Sequence, residues 1–196
     1  GVPSQDVRAA GAANTLVRGR GGWQAENTDV DGVFDPLADH DTGEGRAAVI
    51  LGAGGAARAA VVATRRLGYE VLIASRRDES ADALAEELGV DSLAWKDVAA
   101  SEADLYVNAT PVGGKDADGP AVPREVLANR PLVFDCVYRR DGRPTPTVAA
   151  ARAARCRVVE GIQMFAAQAV RQASLFGVEE VTAEEVSRLV ASGQRP

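Results

Sequence analysis

The run Gly52-Ala53-Gly54-Gly55-Ala56-Ala57-Arg58 constrains this chain more than any other stretch, because of what stands on either side of it. Before it, residues 47–51 (Ala-Ala-Val-Ile-Leu) read as a short buried parallel strand; after it, the alanine-rich residues 55–67 read as a helix. Gly52 can take the tight turn, Gly54 leaves bare backbone for a pyrophosphate, and small Ala57 lets helix and strand close up. The N–H groups at the helix start, around Gly55 and Ala56, together with the positive end of its dipole, suit a phosphate. A second strand follows at 70–74. Strand, glycine loop, helix and strand in that order predict a nucleotide site rather than a turn that binds nothing.

The alternation continues. Helices are expected at 79–88, 97–100, 147–155 and 162–176, and strands near 92–94 and at 105–108, 131–135 and 157–160. Gly177 closes the long helix, and Thr182-Ala183-Glu184-Glu185 is a capping box that opens a last one to residue 191. This pattern defines an α/β fold with a doubly wound parallel sheet of Rossmann type. Ahead of it lie a short helix near 5–10 and a hairpin of strands 13–18 and 23–27 around Gly19-Arg20-Gly21-Gly22. A helix at 30–37 follows, stopped or kinked near Pro36, with Thr28 or Asp29 as its N-cap. Residues 39–45 and 114–123 read as exposed loops. The expected division is residues 1–30 as the remnant of a substrate domain, 31–160 as the dinucleotide-binding domain, and 161–196 as helices packing back toward the substrate side.

Composition removes several classes of function. In 196 residues there is no run of about 18 apolar residues to span a membrane and no signal-peptide pattern, so a cytoplasmic protein is expected. A net charge of −6 with scattered basic residues disfavours nucleic acid. Cys136 and Cys156 lack a partner cluster of Cys or His, so they read as buried free thiols and no metal is expected. The lone His40 sits in an acidic loop and reads as a solvated linker residue.

The second strand decides which nucleotide. An NAD site calls for an acid about 20 residues beyond the glycines, to hold the ribose 2′-hydroxyl. This chain has Ser75-Arg76-Arg77 there, a pair of guanidinium groups suited to a 2′-phosphate, with Arg58 as an addition to the same patch. NADP is therefore expected over NAD.

Beyond the nucleotide site, the sequence carries a family resemblance. Asn14-Thr15-Leu16, Asn27-Thr28-Asp29, the glycine loop, Ser75-Arg76-Arg77, Asn108-Ala109-Thr110-Pro111, Asp135-Cys136-Val137-Tyr138 and Glu160-Gly161-Ile162-Gln163-Met164 through Gln168 resemble shikimate dehydrogenase, in order and with compatible spacing across residues 11–176. The resemblance implies NADP-dependent interconversion of 3-dehydroshikimate and shikimate in aromatic amino-acid biosynthesis. It implies that Gly52, Ala53, Gly54, Gly55 and Ala56 hold the pyrophosphate and that Ser75, Arg76 and Arg77 hold the adenosine phosphate. Asn108, Ala109, Thr110, Cys136, Gly161 and Met164 would line the nicotinamide. Asn14, Asp29, Tyr138 and Gln168 would face the substrate, with Asp29 catalytic. The string around Gln168 is most similar to the forms fused to a dehydroquinate dehydratase.

The pattern also breaks. The family carries an upstream substrate unit with serines and a catalytic lysine; the two lysines here, Lys96 and Lys115, follow the glycine loop and match neither. Asp29, with an unperturbed pKa of about 3.9, is a poor acid at neutral pH on its own. The chain therefore reads as the C-terminal piece of a longer enzyme, binding NADP but impaired in turnover, with the apolar faces left open expected to lead to homodimerisation or to partial disorder near the N-terminus. Quinate or aminoshikimate dehydrogenase, a methylene-tetrahydrofolate-type relative and a non-catalytic NADP-binding module are the competing readings.

Overall fold

The computed structural model describes residues 2–40, 43–115, 119–139, 141–178 and 180–192. Parts of the two expected loops, residues 41–42 and 116–118, lie outside them. Six parallel strands form the main sheet: β4 (Ala47–Leu51), β5 (Glu70–Ala74), β6 (Asp91–Ser92), β7 (Leu105–Asn108), β8 (Leu132–Asp135) and β9 (Val158–Glu160). Their spatial order is β6-β5-β4-β7-β8-β9, so the chain leaves the sheet's centre in one direction and returns to run in the other. The reversal lies between β4 and β7, and ligands of such sheets bind outside the strand carboxyl ends at this point.

Period-two alternation explains why both faces are covered. Ala48 and Ile50 of β4 point into one core with Leu105 and Val107 of β7 and Phe134 of β8. Val49 and Leu51 point into the other with Tyr106 and Val133. The first face is covered by α2 (Thr28–Ala38), α3 (Gly55–Arg66), α4 (Asp78–Leu88) and α7 (Gly161–Leu175). The second is covered by a 3-10 turn (Trp95–Ala100), α5 (Arg124–Leu127) and α6 (Pro146–Ala153). α3 can lie close to the sheet because Ala57, Ala59, Ala60 and Ala63 are small and wholly buried.

The prelude is a small sheet. The expected hairpin is β2 (Thr15–Gly19) with β3 (Gly22–Glu26), and the short helix is α1 (Gln5–Ala10), capped by the Ser4 hydroxyl. The sequence reading missed β1 (Val2–Pro3), which adds to β3 in parallel; two residues carry too little pattern to be seen. α2 begins earlier than expected, with Asn27 as its N-cap rather than Thr28 or Asp29, and it runs through buried Pro36 because the break falls in its last turn. The capping box at Thr182 and Glu185 opens α8 (Ala183–Ser192) as expected. Cys136 and Cys156 are free but only half-buried, less enclosed than the sequence suggested. Among the described residues no helix is long and apolar enough to cross a membrane.

Candidate functional site

Gly52 leaves β4 at φ +122°, a backbone conformation that L side chains rarely adopt, and a Cβ there would lie 2.8 Å from the Ala109 carbonyl oxygen. Its role is thus to let the ends of β4 and β7 approach at the switch point. Gly54 differs: its backbone is ordinary and extended, and a Cβ would meet nothing within 4 Å. The space in front of Gly54 and Gly55 is open, and α3 has no side-chain cap. Its ladder begins only with Arg58 N–H to the Gly54 carbonyl (3.1 Å), so the preceding N–H groups, among them Ala56, face that space. These are the requirements for a bound phosphate.

A cleft of about 740 Å³ opens there, lined by Gly52, Ala53, Gly54, Ser75, Arg76, Arg77, Ala109 and Thr110, all expected, and by Ser80, Trp95 and Pro111, which the sequence reading missed. Arg76 and Arg77 are exposed and make no ion pair among the described residues. Ser75 is committed to its own turn: its hydroxyl donates to the Arg77 carbonyl (2.7 Å) and accepts the Arg77 N–H (3.2 Å), which holds the arginine backbone. Trp95 is tied to the same corner, because its backbone N–H donates to the Asp78 carboxylate at 2.9 Å. A lone aromatic after the third strand was the only signal for it.

Two expectations need correction. Arg58 does not join the arginine patch. It points back along α3 to make a two-pronged pair with Glu87 (2.6 and 2.6 Å) and a bond to the Ala10 carbonyl (3.0 Å), fastening α1 and α4 to α3. Asn108 is wholly buried and cannot touch a nicotinamide with its side chain. Its Nδ2 donates to Asp135 Oδ1 (2.7 Å) and the Val112 carbonyl (3.0 Å), while Oδ1 accepts from the Thr110 N–H (3.0 Å) and hydroxyl (2.6 Å). Asp135 also takes the Val137 N–H (3.1 Å) and the Thr145 hydroxyl. Burial pushes the Asp135 carboxyl above its ordinary pKa, against the pull of Thr145 and Asn108. This network shapes the turns that carry Thr110 and Cys136, and nothing in the sequence pointed to Asp135 and Thr145 as its centre. Met164 and Gly161, at the start of α7, are closely packed. Met164 sits in the main core against Gly32, and a Cβ on Gly161 would lie 2.5 Å from the Val137 carbonyl oxygen.

Of the expected substrate residues, Asn14, Asp29 and Gln168 lie where α2 and α7 pack together. Asp29, in the first turn of α2, is half-buried. Burial raises its carboxyl above the ordinary range, and a hydrogen bond from Asn14 pulls it partly back. Burial, and after it the charges of Asp135 and Asp29, push the Cys136 thiol well above its ordinary pKa. Asn14 is anchored from behind by Thr15 and Thr28. Gln168 lies on α7 against Gly32, with its Oε1 buried and without a hydrogen-bond partner. Tyr138 stands apart from the cleft, its ring tilted against Phe165 at 5.2 Å between centroids, in a separate pocket of about 250 Å³ with Gly161 and Ile162.

Comparison with known proteins identifies relatives of the chain. Residues 46–133 match the family described as NADP oxidoreductase coenzyme F420-dependent. The chain is 38 % identical over 193 residues to the NADP(+) shikimate dehydrogenase of Oleidesulfovibrio alaskensis, covering 94 % of this chain and 67 % of that one. It is 38 % identical to that of Ignicoccus hospitalis, covering 95 % and 70 %. A crystal structure of shikimate 5-dehydrogenase from Thermus thermophilus in complex with NADP(H) and shikimate superposes with a TM-score of 0.81 at 31 % identity, over 98 % of this chain and 72 % of that one. A chorismate mutase/shikimate 5-dehydrogenase fusion from Clostridium acetobutylicum gives a TM-score of 0.85 at 25 % identity, over 97 % and 70 %.

Proposed function

Because this chain belongs to the shikimate dehydrogenase family, we propose that it binds NADP(H) in the switch-point cleft and serves the interconversion of 3-dehydroshikimate and shikimate. One observation carries the reading. A single edge of the sheet, the carboxyl ends of its parallel strands, bears both an open glycine loop with Arg76 and Arg77, which make no ion pair among the described residues, and the Cys136 turn at the end of β8.

The chain's own residues divide the work. The open backbone from Gly52 to Ala56 takes the pyrophosphate, and Arg76 and Arg77 take the 2′-phosphate, which gives NADP over NAD. Trp95 offers an aromatic wall beside them. Ala109 and Thr110 border the cleft where β7 ends, with Cys136 next to them as a neutral, protonated thiol. When bound, NADPH supplies the hydride that turns the ketone into an alcohol, with uptake of one proton. Asn14, Asp29 and Gln168 face the hydroxyl-bearing ring; the unpartnered Gln168 Oε1 suits a substrate hydroxyl as donor. The raised carboxyl of Asp29 keeps its proton to higher pH than a free aspartate, which makes it a better proton source than its unperturbed value suggests. The half-buried free thiols suit a reducing compartment, the cytoplasm. Exposed Leu16, Trp23 and Phe176 favour a homodimer, which sedimentation would test.

Calorimetric titration with NADP⁺ and NAD⁺, each with and without shikimate, tests the reading. NADP⁺ is expected to bind at least about tenfold tighter, from one charge-assisted contact to the extra phosphate, and shikimate is expected to bind the NADP⁺ complex. Equal affinity for the two cofactors, or no response to shikimate, would reject it.

A further inference from the structure

α7 presents Met164, Gln168 and Gln172 at four-residue intervals toward α2, and the last of these falls outside every motif in the sequence. Its Nε2 lies 3.2 Å from the Thr15 hydroxyl and 3.2 Å from the Thr28 hydroxyl. Both threonines are nearly inaccessible to solvent, 5 % and 1 % exposed, so their hydrogen bonds do not compete with water. A hydroxyl has one proton and two lone pairs. An N–H from Gln172 occupies a lone pair on each, and each hydroxyl turns its proton the other way. The acceptor on that side is Asn14 Oδ1, 2.8 Å from Thr15 Oγ1 and 3.2 Å from Thr28 Oγ1. The Thr28 backbone N–H reaches the same oxygen at 3.0 Å. With Oδ1 so occupied, the Asn14 amide can sit only one way round, its Nδ2 against Thr28 Oγ1 (2.9 Å) and its donor side available to Asp29.

We propose that Gln172 is a positioning residue that, by directing the protons of Thr15 and Thr28, reinforces the orientation of the Asn14 amide that the Thr28 backbone N–H selects, and so holds the face that Asn14 and Asp29 present to the substrate. The last step rests on the reading of Asn14 and Asp29 as substrate-facing. The coupling from Gln172 to Asp29 needs no ligand and can be measured alone. Burial and the Asn14 bond are the two influences on the Asp29 carboxyl. The charge of Asp29 is felt by the Cys136 thiol after β8, Asp31 and Asp35 follow it on α2, and Arg171, next to Gln172 on α7, pairs with Asp31 at 3.2 Å.

The experiment follows the Asp29 carboxyl carbon by NMR across pH in the parent chain and in Asn14→Leu, Gln172→Met and Thr15→Val. Gln172→Met keeps the length of the side chain and removes the donor, and Thr15→Val removes one of the two relays. Asn14→Leu sets the full effect: Asp29 then titrates at higher pH than in the parent. Gln172→Met and Thr15→Val are expected to shift it in the same direction by a smaller amount, while Asp31 in Thr15→Val stays put. A parent-like Asp29 titration in Gln172→Met or Thr15→Val, beside a clear shift in Asn14→Leu, overturns the proposal. So does an unshifted Asp29 in Asn14→Leu. Titration of the same variants with shikimate and NADP⁺ separates the two levels, because a parent chain blind to shikimate refutes the functional reading while the Asp29 shifts still judge the relay.

Discussion

Gly52 and Gly54 stand two residues apart in one loop, and the structure assigns them opposite burdens. Alanine at 52 must hold φ near +122° and place its Cβ 2.8 Å from the Ala109 carbonyl oxygen, which belongs to backbone and cannot rotate away. The backbone conformation costs about 1–3 kcal/mol, and forcing β4 and β7 apart adds about 1–3 kcal/mol of overpacking strain. A loss of about 2–6 kcal/mol is a large share of the roughly 5–15 kcal/mol that holds an ordinary domain together. Alanine at 54 meets nothing within 4 Å and keeps an allowed extended backbone. Its stability should be unchanged or raised by about 0.4–1 kcal/mol, because the unfolded chain loses freedom. Its methyl group, however, occupies the space in front of the α3 N-terminus. Losing one charge-assisted bond to the pyrophosphate, at about 1.5–3 kcal/mol, weakens NADP⁺ binding by about 10- to 150-fold. Urea unfolding and calorimetric titration of the two variants measure both effects. A Gly52→Ala chain as stable as the parent, or a Gly54→Ala chain that binds NADP⁺ undiminished, would refute the assignment.

The arginines divide in the same manner. Arg76→Ala and Arg77→Ala should each lower the preference for NADP⁺ over NAD⁺, most clearly at low salt, while Arg58→Ala should leave both affinities alone and lower the melting temperature. Trp95 gives an optical check: in a Trp23→Phe background, NADP⁺ is expected to quench the remaining indole, and Trp95→Ala should weaken binding by about 5- to 150-fold, from a stacking contribution of about 1–3 kcal/mol. Unquenched fluorescence at saturating NADP⁺ would remove Trp95 from the site. For Asp29 the sign runs opposite to common acid denaturation. Its folded pKa lies above the unfolded value, so the folded state binds the proton more tightly, and its contribution is complete below the unfolded value and lost as pH rises through the folded one. Asp29→Asn lacks this loss, so its stability relative to the parent should grow with pH across that window, and a constant difference in urea unfolding would contradict the burial argument.

The α/β alternation, the glycine loop and the absence of an acid at the second strand's end were all legible in the sequence, because period-two burial, backbone permissiveness and charge are properties of single residues and their spacing. The boundaries of α1, β4, β5, α3 and α7 followed to within a residue or so for the same reason. Only tertiary structure decided where side chains of mixed purpose point. Arg58 is as basic as Arg76, yet Glu87 and the Ala10 carbonyl, 29 and 48 residues away, claim it. Asn108 sits in a motif that reads as ligand-facing, but parallel register sets it level with Asp135, and two polar groups shut away from water satisfy each other. Gln172 carries no local signal at all, and its role arises because α7 crosses α2 at the height of Thr28. A sequence states what each residue is able to bond; the fold decides which partner comes within hydrogen-bonding reach first.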